Sequence, residues 1–223
     1  MIQLILGIDD AGRGPVIGPM VLAGCLINKE IEKEFRATGV RDSKQLTQKR
    51  REFLEKIIKE KAIAFSIQIM SPDEIDGKNK DGINLNDVEA IMASNIINEI
   101  NKGFQKIKVV LDCPSPNRIR WRDTVRTKIK NLSNLEIVCE HKADVNHVAV
   151  SAASILAKTE RERQMDKLKE VYGKDIGSGY TSDPLTKKFL EKNVKSQNHQ
   201  KIFRKSWKTW KKANSNSTQK KLC

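Results

Sequence analysis

The sequence predicts an α/β fold built on a sheet that is at least partly parallel. Three observations carry that expectation. Through the second half of the chain, short apolar runs alternate with stretches of helical period, the pattern of strand–helix crossover units. Two apolar runs end in an aspartate, and ligands of open α/β sheets gather at the carboxyl ends of strands. With 223 residues, 38% of them hydrophobic, the chain can bury a real core in one domain, with or without a small appendage.

Leu4 to Ile8 reads as a buried strand that runs into Asp9 and Asp10. "MVLAGCLI", Met20 to Ile27, reads as a second strand. Asp42 or Ser43 can cap a helix through Lys61, with Leu46, Phe53, Leu54, Ile57 and Ile58 on its inner side. "AIAFSIQIM" alternates, so Ile63, Phe65, Ile67 and Ile69 share one face of a half-buried strand. Leu85, Val88, Met92, Ile96 and Ile100 mark an amphipathic helix that stops at Gly103. "KIKVVLD", Lys106 to Asp112, is a strand that again ends in an acid, and a helix over Ile119–Lys130 follows. "LEIVCE", Leu135 to Glu140, is the next strand. A long helix opened by Asp144 then presents Val145, Val148, Ala149, Ala152, Ile155, Leu156 and Thr159 to the core. Beyond it lie a Gly/Ser/Pro loop, "GSGYTSDP", a short helix over Leu185–Lys195, and the basic aromatic segment "IFRKSWKTWKK". Trp207 and Trp210 suit either a nucleic-acid surface or a helix docking on the core, and docking is the expectation. The polar end, "ANSNSTQKKLC", reads as disordered.

Composition narrows the function. A formal net charge of +14 and a pI of about 9.6 favour a polyanionic partner, nucleic acid above all. The four cysteines, Cys25, Cys113, Cys139 and Cys223, show no paired spacing, which argues against a disulfide framework or a zinc site and for a reducing compartment. No apolar run approaches a membrane span, and the N-terminus has no basic region before an apolar one. The expectation is a cytoplasmic protein with no membrane partner.

Asp9, Asp10, Asp112 and Asp144 carry the chemistry. Singly, each has an ordinary explanation as a turn residue or a helix cap. Together, at the ends of apolar strands in a basic chain, they point to one site. Converging carboxylates repel and stay ionised when cations neutralise them. Hard oxygen donors with neither histidine nor thiolate select Mg²⁺ or Mn²⁺.

At this point the chain resembles a type 2 ribonuclease H of the archaeal kind. The resemblance rests on "GIDDAGRGPVIGP", "DSKQL" at Asp42–Leu46, "VVLDCP" at Val109–Pro114, "HKAD" at His141–Asp144, "VSAASILAKTERER" at Val150–Arg163 and "GSGYTSDP" at Gly177–Pro184, in the family's order. It implies a ribonuclease H-like fold: a mixed five-stranded sheet flanked by helices, with a small helical C-terminal extension. The domain expectation is 1–172 catalytic, 173–212 extension and 213–223 disordered. Because the first strand starts at residue 4, the extra N-terminal domain of type 3 enzymes is not expected.

The implied activity is hydrolysis of RNA paired with or joined to DNA, by two divalent ions held between carboxylates. By position Asp9, Asp112 and Asp144 match the family's metal ligands. Asp10 stands where the family usually has glutamate, which keeps the charge and loses a methylene. A hybrid-binding protein with weakened catalysis is therefore the alternative. The resemblance also implies that Gly12, Arg13 and Gly14 read the 2′-hydroxyl at an RNA–DNA junction, a role glycine suits by letting backbone approach a ligand. Tyr180 would stack at that junction, and Lys44, Lys158 and Arg161 match basic positions near the substrate. The expected partners are RNA/DNA hybrids and duplex DNA containing ribonucleotides, met by a monomer. Gln219 and Leu222 form half of a sliding-clamp peptide pattern, without its aromatics.

Overall fold

The computed structural model describes residues 3–41 and 46–219. The chain divides into two compact units, with bounds unlike those expected. The first comprises Met1–Ala11, Val21–Gln68 and Leu85–Thr159; the second comprises Gly12–Met20, Ile69–Asn84 and Glu160–Cys223.

The first unit is built on the mixed five-stranded sheet that the resemblance implies. Its strands are β1 (Leu4–Ala11), β2 (Met20–Ile27), β3 (Ala64–Met70), β4 (Ile107–Asp112) and β5 (Leu135–Glu140), in the order β3-β2-β1-β4-β5. β1 is antiparallel to β2 and parallel to β4, and β4 is parallel to β5. Three parallel strands thus end on the same side, as short apolar runs punctuated by acids require. The β1–β4 ladder closes at Ile8–Leu111, so Asp9 and Asp112 are the next residue on each strand. Asp112 pairs in turn with Glu140.

Around this sheet lie α1 (Lys29–Thr38), α2 (Gln48–Lys61), α4 (Leu85–Ile100), α5 (Arg118–Arg126), α6 (Ala143–Asn146) and the first half of α7 (Val148–Tyr172); α3 (Pro72–Lys80) falls in the second unit. Val21, Ala23, Cys25 and Ile27 of β2 bury with Phe35, Leu54, Ile58, Ala152, Ile155 and Leu156 in one apolar cluster. α7 lies very close to β1. A Cβ at Gly7 would stand 2.2 Å from the backbone carbon of Ala149, so only glycine allows that seat. Burial pushes the thiols of Cys25 and Cys139 up to about 12, and these two and Cys113 are free and buried.

Several sequence expectations are corrected. α2 starts at Gln48, where the Thr47 hydroxyl accepts the Arg50 N–H at 3.3 Å; Asp42 and Ser43 lie outside the described residues. Phe53 is exposed rather than inward, with the Arg50 guanidinium over its ring. In β3 the buried residue is Ser66, which donates to Glu99 at 2.6 Å, while Ile63, Phe65 and Ile69 are exposed and Ile67 alone of that face packs on the core. The long helix is broken at His147, so Asp144 sits inside a separate four-residue turn of helix, and Val145 faces solvent. Val148, Ala149, Ala152, Ile155, Leu156 and Thr159 are buried as expected.

The second unit holds α3, the distal part of α7, α8 (Pro184–Asn193) and α9 (Lys208–Gln219). Its core joins Val16, Ile17, Met165, Ile176, Phe189, Leu190, Ile202 and Phe203, with Trp207 and Trp210 packed against it, the docking expected of the two tryptophans. α9 remains helical to Gln219, across residues whose polar composition predicts disorder from 213. Residues 16–18 and 202–204 pair as a short antiparallel bridge: Gly18 N–H donates to Ile202 at 3.0 Å and Arg204 N–H to Val16 at 2.9 Å. Among the described residues, no helix is long and apolar enough to cross a membrane.

Candidate active site

In the first unit, Asp9, Asp10 and Asp112 line one small recess with Leu22, Glu89, Pro114 and Trp121. Asp9 is buried, at 6% exposure. Its Oδ1 accepts the Asp10 N–H at 2.7 Å, and Ser154 of α7 hydrogen-bonds its carboxylate. Ser154 lies five residues beyond Ala149, so the close seat at Gly7 delivers it to Asp9. Burial first, then the charges of Asp10 and Asp112, hold the Asp9 carboxyl well above the usual carboxylate range; the two hydrogen bonds pull the other way.

Asp112 and Asp144 are held in one knot of turns. The Cys113 N–H donates to Glu140 O at 2.8 Å, His141 Nδ1 meets Cys113 O at 3.1 Å, and the Ala143 N–H donates to Asp112 Oδ1 at 2.9 Å. Lys142 takes a left-handed conformation at φ 58°, a costly state for a side-chain-bearing residue that tends to mark functional turns. Asp144 is 2% exposed, and the Ser151 hydroxyl donates to its carbonyl at 2.6 Å. It borders the same turns but does not line the recess of Asp9 and Asp112. Among the described residues, no three His, Cys, Asp or Glu side chains stand close enough to hold a metal ion in their present rotamers. Lys158 is half-buried on α7, and Lys44 lies outside the described residues.

The second unit gathers the remaining candidates. Gly12 adopts φ +82°, which only glycine takes without strain, and a Cβ there would stand 2.4 Å from Arg161 Nε. Gly14 is outside the left-handed region, and a Cβ there would meet Tyr180 Cε1 at a comfortable 3.8 Å. The Arg161 guanidinium sits 4.8 Å from the centre of the Tyr180 ring and donates to Ser178 O at 3.0 Å. Burial lowers the Arg161 pKa. Gly12, Gly14, Arg161 and Tyr180 therefore form one cluster, with Arg13 between the two glycines. Tyr180 keeps 39% exposure, so the side chain is still reachable from solvent.

Sequence reasoning missed Glu89, Ser154 and Arg204. Glu89 carried a faint signal, an acid between the inward Val88 and Met92 of α4. Ser154 lay within the quoted "VSAASILA". Arg204 carried none, being one cation among many.

The family described as Ribonuclease HII matches residues 6–210. The chain is 42% identical over 232 residues to Ribonuclease HII of Methanocaldococcus jannaschii, covering 99% of each. The solved ribonuclease H2 of Pyrococcus horikoshii OT3 superimposes with a TM-score of 0.85 at 34% identity, over 96% of this chain and 98% of that one. A chain from the PCNA:RNase HII complex of Archaeoglobus fulgidus superimposes with a TM-score of 0.80 at 35% identity, over 92% and 95%.

Proposed function

The chain belongs to the ribonuclease HII family and is therefore a ribonuclease H, and from that premise we propose that it nicks duplex DNA on the 5′ side of an embedded ribonucleotide as well as cutting RNA/DNA hybrids. The observation that carries the proposal is the recess in which Asp9, Asp10 and Asp112 converge at parallel strand ends, with Asp144 on the adjoining turn. The donor set is all hard oxygen, which fits Mg²⁺ or Mn²⁺. Burial and two neighbouring acids penalise the charge of Asp9, and a divalent cation relieves that penalty. Asp10 and Asp112 are both partly exposed, so an ion can reach them from solvent.

In this proposal Asp9, Asp10, Asp112 and Asp144 would hold two divalent ions, which would supply an activated water and neutralise the leaving 3′-oxygen. Ser154 and the Asp10 N–H keep Asp9 oriented and oppose the rise of its pKa. The Ala143 N–H orients one oxygen of Asp112. The loop at Gly12–Gly14 receives the 2′-hydroxyl and an adjoining phosphate through backbone N–H groups and Arg13. Tyr180, backed by Arg161, stacks on the nucleotide beside the junction. Lys158, Lys44 and the net charge of +14 draw in the polyanion.

The test is cleavage of duplex DNA carrying one ribonucleotide, beside a uniform hybrid, with Mg²⁺, Mn²⁺ or EDTA. A nick 5′ of the ribonucleotide that leaves 3′-hydroxyl and 5′-phosphate ends, and that EDTA abolishes, is expected. Binding without cleavage in either metal overturns the catalytic assignment and favours a hybrid-binding protein crippled at Asp10. Clamp binding joins the proposal because of the Archaeoglobus complex with PCNA. The Gln219 side chain and Leu222 lie outside the described residues. A chain ended at residue 218 should lose co-elution with the clamp, if the pattern serves that purpose.

A further inference from the structure

Arg204 is the largest fully buried side chain in the described structure, and its guanidinium is spent on carbonyls. Nε donates to Gly18 O at 3.0 Å, one terminal nitrogen to Arg13 O at 2.9 Å and the other to Gly12 O at 2.6 Å. The Trp207 ring lies 5.0 Å from the guanidinium, and the indole N–H donates to Gly14 O at 3.1 Å. Four carbonyls of the loop 12–18 are thus drawn to two side chains three residues apart. The brace is itself fixed. Arg204 N–H donates to Val16, and the Asp76 carboxylate accepts the N–H groups of Lys205 and Ser206 at 2.6 and 3.0 Å.

A buried cation is an expensive way to fill a core, since apolar side chains of similar volume avoid the desolvation cost. Its five donors in a planar fork do what no apolar residue can: they set the direction of several peptide planes at once. Every peptide bond here is trans, so a carbonyl pointing to Arg204 sends the N–H of the next residue the opposite way. Gly12 and Arg13 point their carbonyls inward. The N–H groups of Arg13 and Gly14 therefore point away from the brace.

We propose that Arg204 is a positioning residue for ribose recognition: by capturing the Gly12 and Arg13 carbonyls it presets the Arg13 and Gly14 N–H groups to receive the 2′-hydroxyl or phosphate of a ribonucleotide. The inference rests on the proposed role of the Gly12–Gly14 loop and adds what holds that loop in register. Lysine cannot replace arginine here, because a single ammonium does not span three carbonyls in a fixed plane.

The test uses Arg204→Lys and Trp207→Phe in the full chain, in EDTA so that no cleavage occurs. Two quantities are measured. One is the affinity ratio between duplex DNA bearing one ribonucleotide and the all-DNA duplex of the same sequence. The other is amide hydrogen exchange across residues 12–18. Arg204→Lys should cut the ratio on the order of 10-fold, the equivalent of about 1.4 kcal/mol and the worth of a misdirected hydrogen bond to the ribonucleotide. Affinity for all-DNA duplex should change little, and exchange at residues 16 to 18, whose N–H groups donate to Gly179 and Ile202, should quicken. Trp207→Phe, which keeps an aromatic ring smaller than the indole and loses one hydrogen bond, should cut the ratio less, roughly 3-fold. A folded Arg204→Lys that keeps both the ratio and the exchange rates overturns the inference. So does equal loss of affinity for both duplexes, the mark of a merely structural role. If Arg204→Lys does not fold, an unchanged ratio and unchanged exchange in Trp207→Phe overturn it instead. A wild-type chain with no ribose preference would sink the role of the loop, and exchange in Arg204→Lys would still decide whether the brace exists.

Discussion

Replacing Asp9 by asparagine should stabilise the metal-free protein while removing its activity. Asp9 is 6% exposed, and both its burial and the charges of Asp10 and Asp112 raise its pKa. Such a group binds its proton more tightly folded than unfolded. Stability is then lost as pH rises from the ordinary carboxylate range to the raised folded value, and stays lost above it. Asparagine removes the charge and keeps the shape: its Oδ1 can accept the Asp10 N–H, and its amide can donate to the Ser154 hydroxyl. In a chain of 223 residues, each 1 kcal/mol released raises Tm by about 2–4 °C. The expected result in EDTA at neutral pH is a Tm about 2–4 °C above wild type, with a flatter dependence of Tm on pH. Saturating Mn²⁺ should raise the Tm of the wild type, since a ligand at 100 times its Kd adds about 2.7 kcal/mol, and should raise that of Asp9→Asn much less. Loss of a ligand to an ion worth several kcal/mol should lower kcat by about 10²-fold or more. Scanning calorimetry in EDTA and in Mn²⁺, across pH, decides the matter. A lower metal-free Tm, or an unchanged pH slope, refutes the electrostatic reasoning; a retained kcat shows the site is elsewhere.

Asp10→Glu should raise kcat in Mg²⁺ by up to about 10-fold with little change in hybrid affinity, and less in Mn²⁺, because restoring a bond of about 1.5 Å recovers reach where 1 Å matters; a variant that is slower in Mg²⁺ would mean the site is built around the shorter acid. Tyr180→Ala should reduce cleavage at a single ribonucleotide more than cleavage of a uniform hybrid, since stacking contributes about 1–3 kcal/mol per base; equal losses argue against a junction role. Gly12→Ala should lower Tm by several degrees, given its φ of +82° and the 2.4 Å approach to Arg161, whereas Gly14→Ala, with its nearest neighbour at 3.8 Å, should leave Tm within about 1 °C. Equal Tm values for the two alanine variants would refute the strain assigned to Gly12.

Much of this molecule is written locally. The runs Met20–Ile27 and Leu135–Glu140 declare themselves as strands to the residue: the first is an unbroken buried apolar run, and the second alternates, with Ile137 and Cys139 buried between more exposed neighbours. α1 and α3 do not. The first buries only Phe35 among charged residues, and its signals are the Asn28 cap and Gly39 at the end. The second holds Pro72 and Gly77 within nine residues, and only its Ser71–Glu74 capping box betrays it. The alternation of β3 gives the strand but assigns its apolar face inward, since burial depends on which elements cover an edge strand. The acids were legible because they punctuate strand ends. Ser154 was not, because its role exists only once Gly7 admits α7 against β1.

The brace at Arg204 also fixes an order of events during synthesis. It joins residues 186 to 192 positions apart, so the loop after β1 is among the first segments made and among the last to take its form. Domains fold in part as they emerge, and long loops close late because their ends must first be brought together. A nascent chain can therefore complete the acid-bearing strands while the Gly12–Gly18 backbone still lacks its anchor. The capacity proposed for that loop, to engage a nucleic acid, arrives with the final fifth of the polypeptide, well after the residues proposed to cut it.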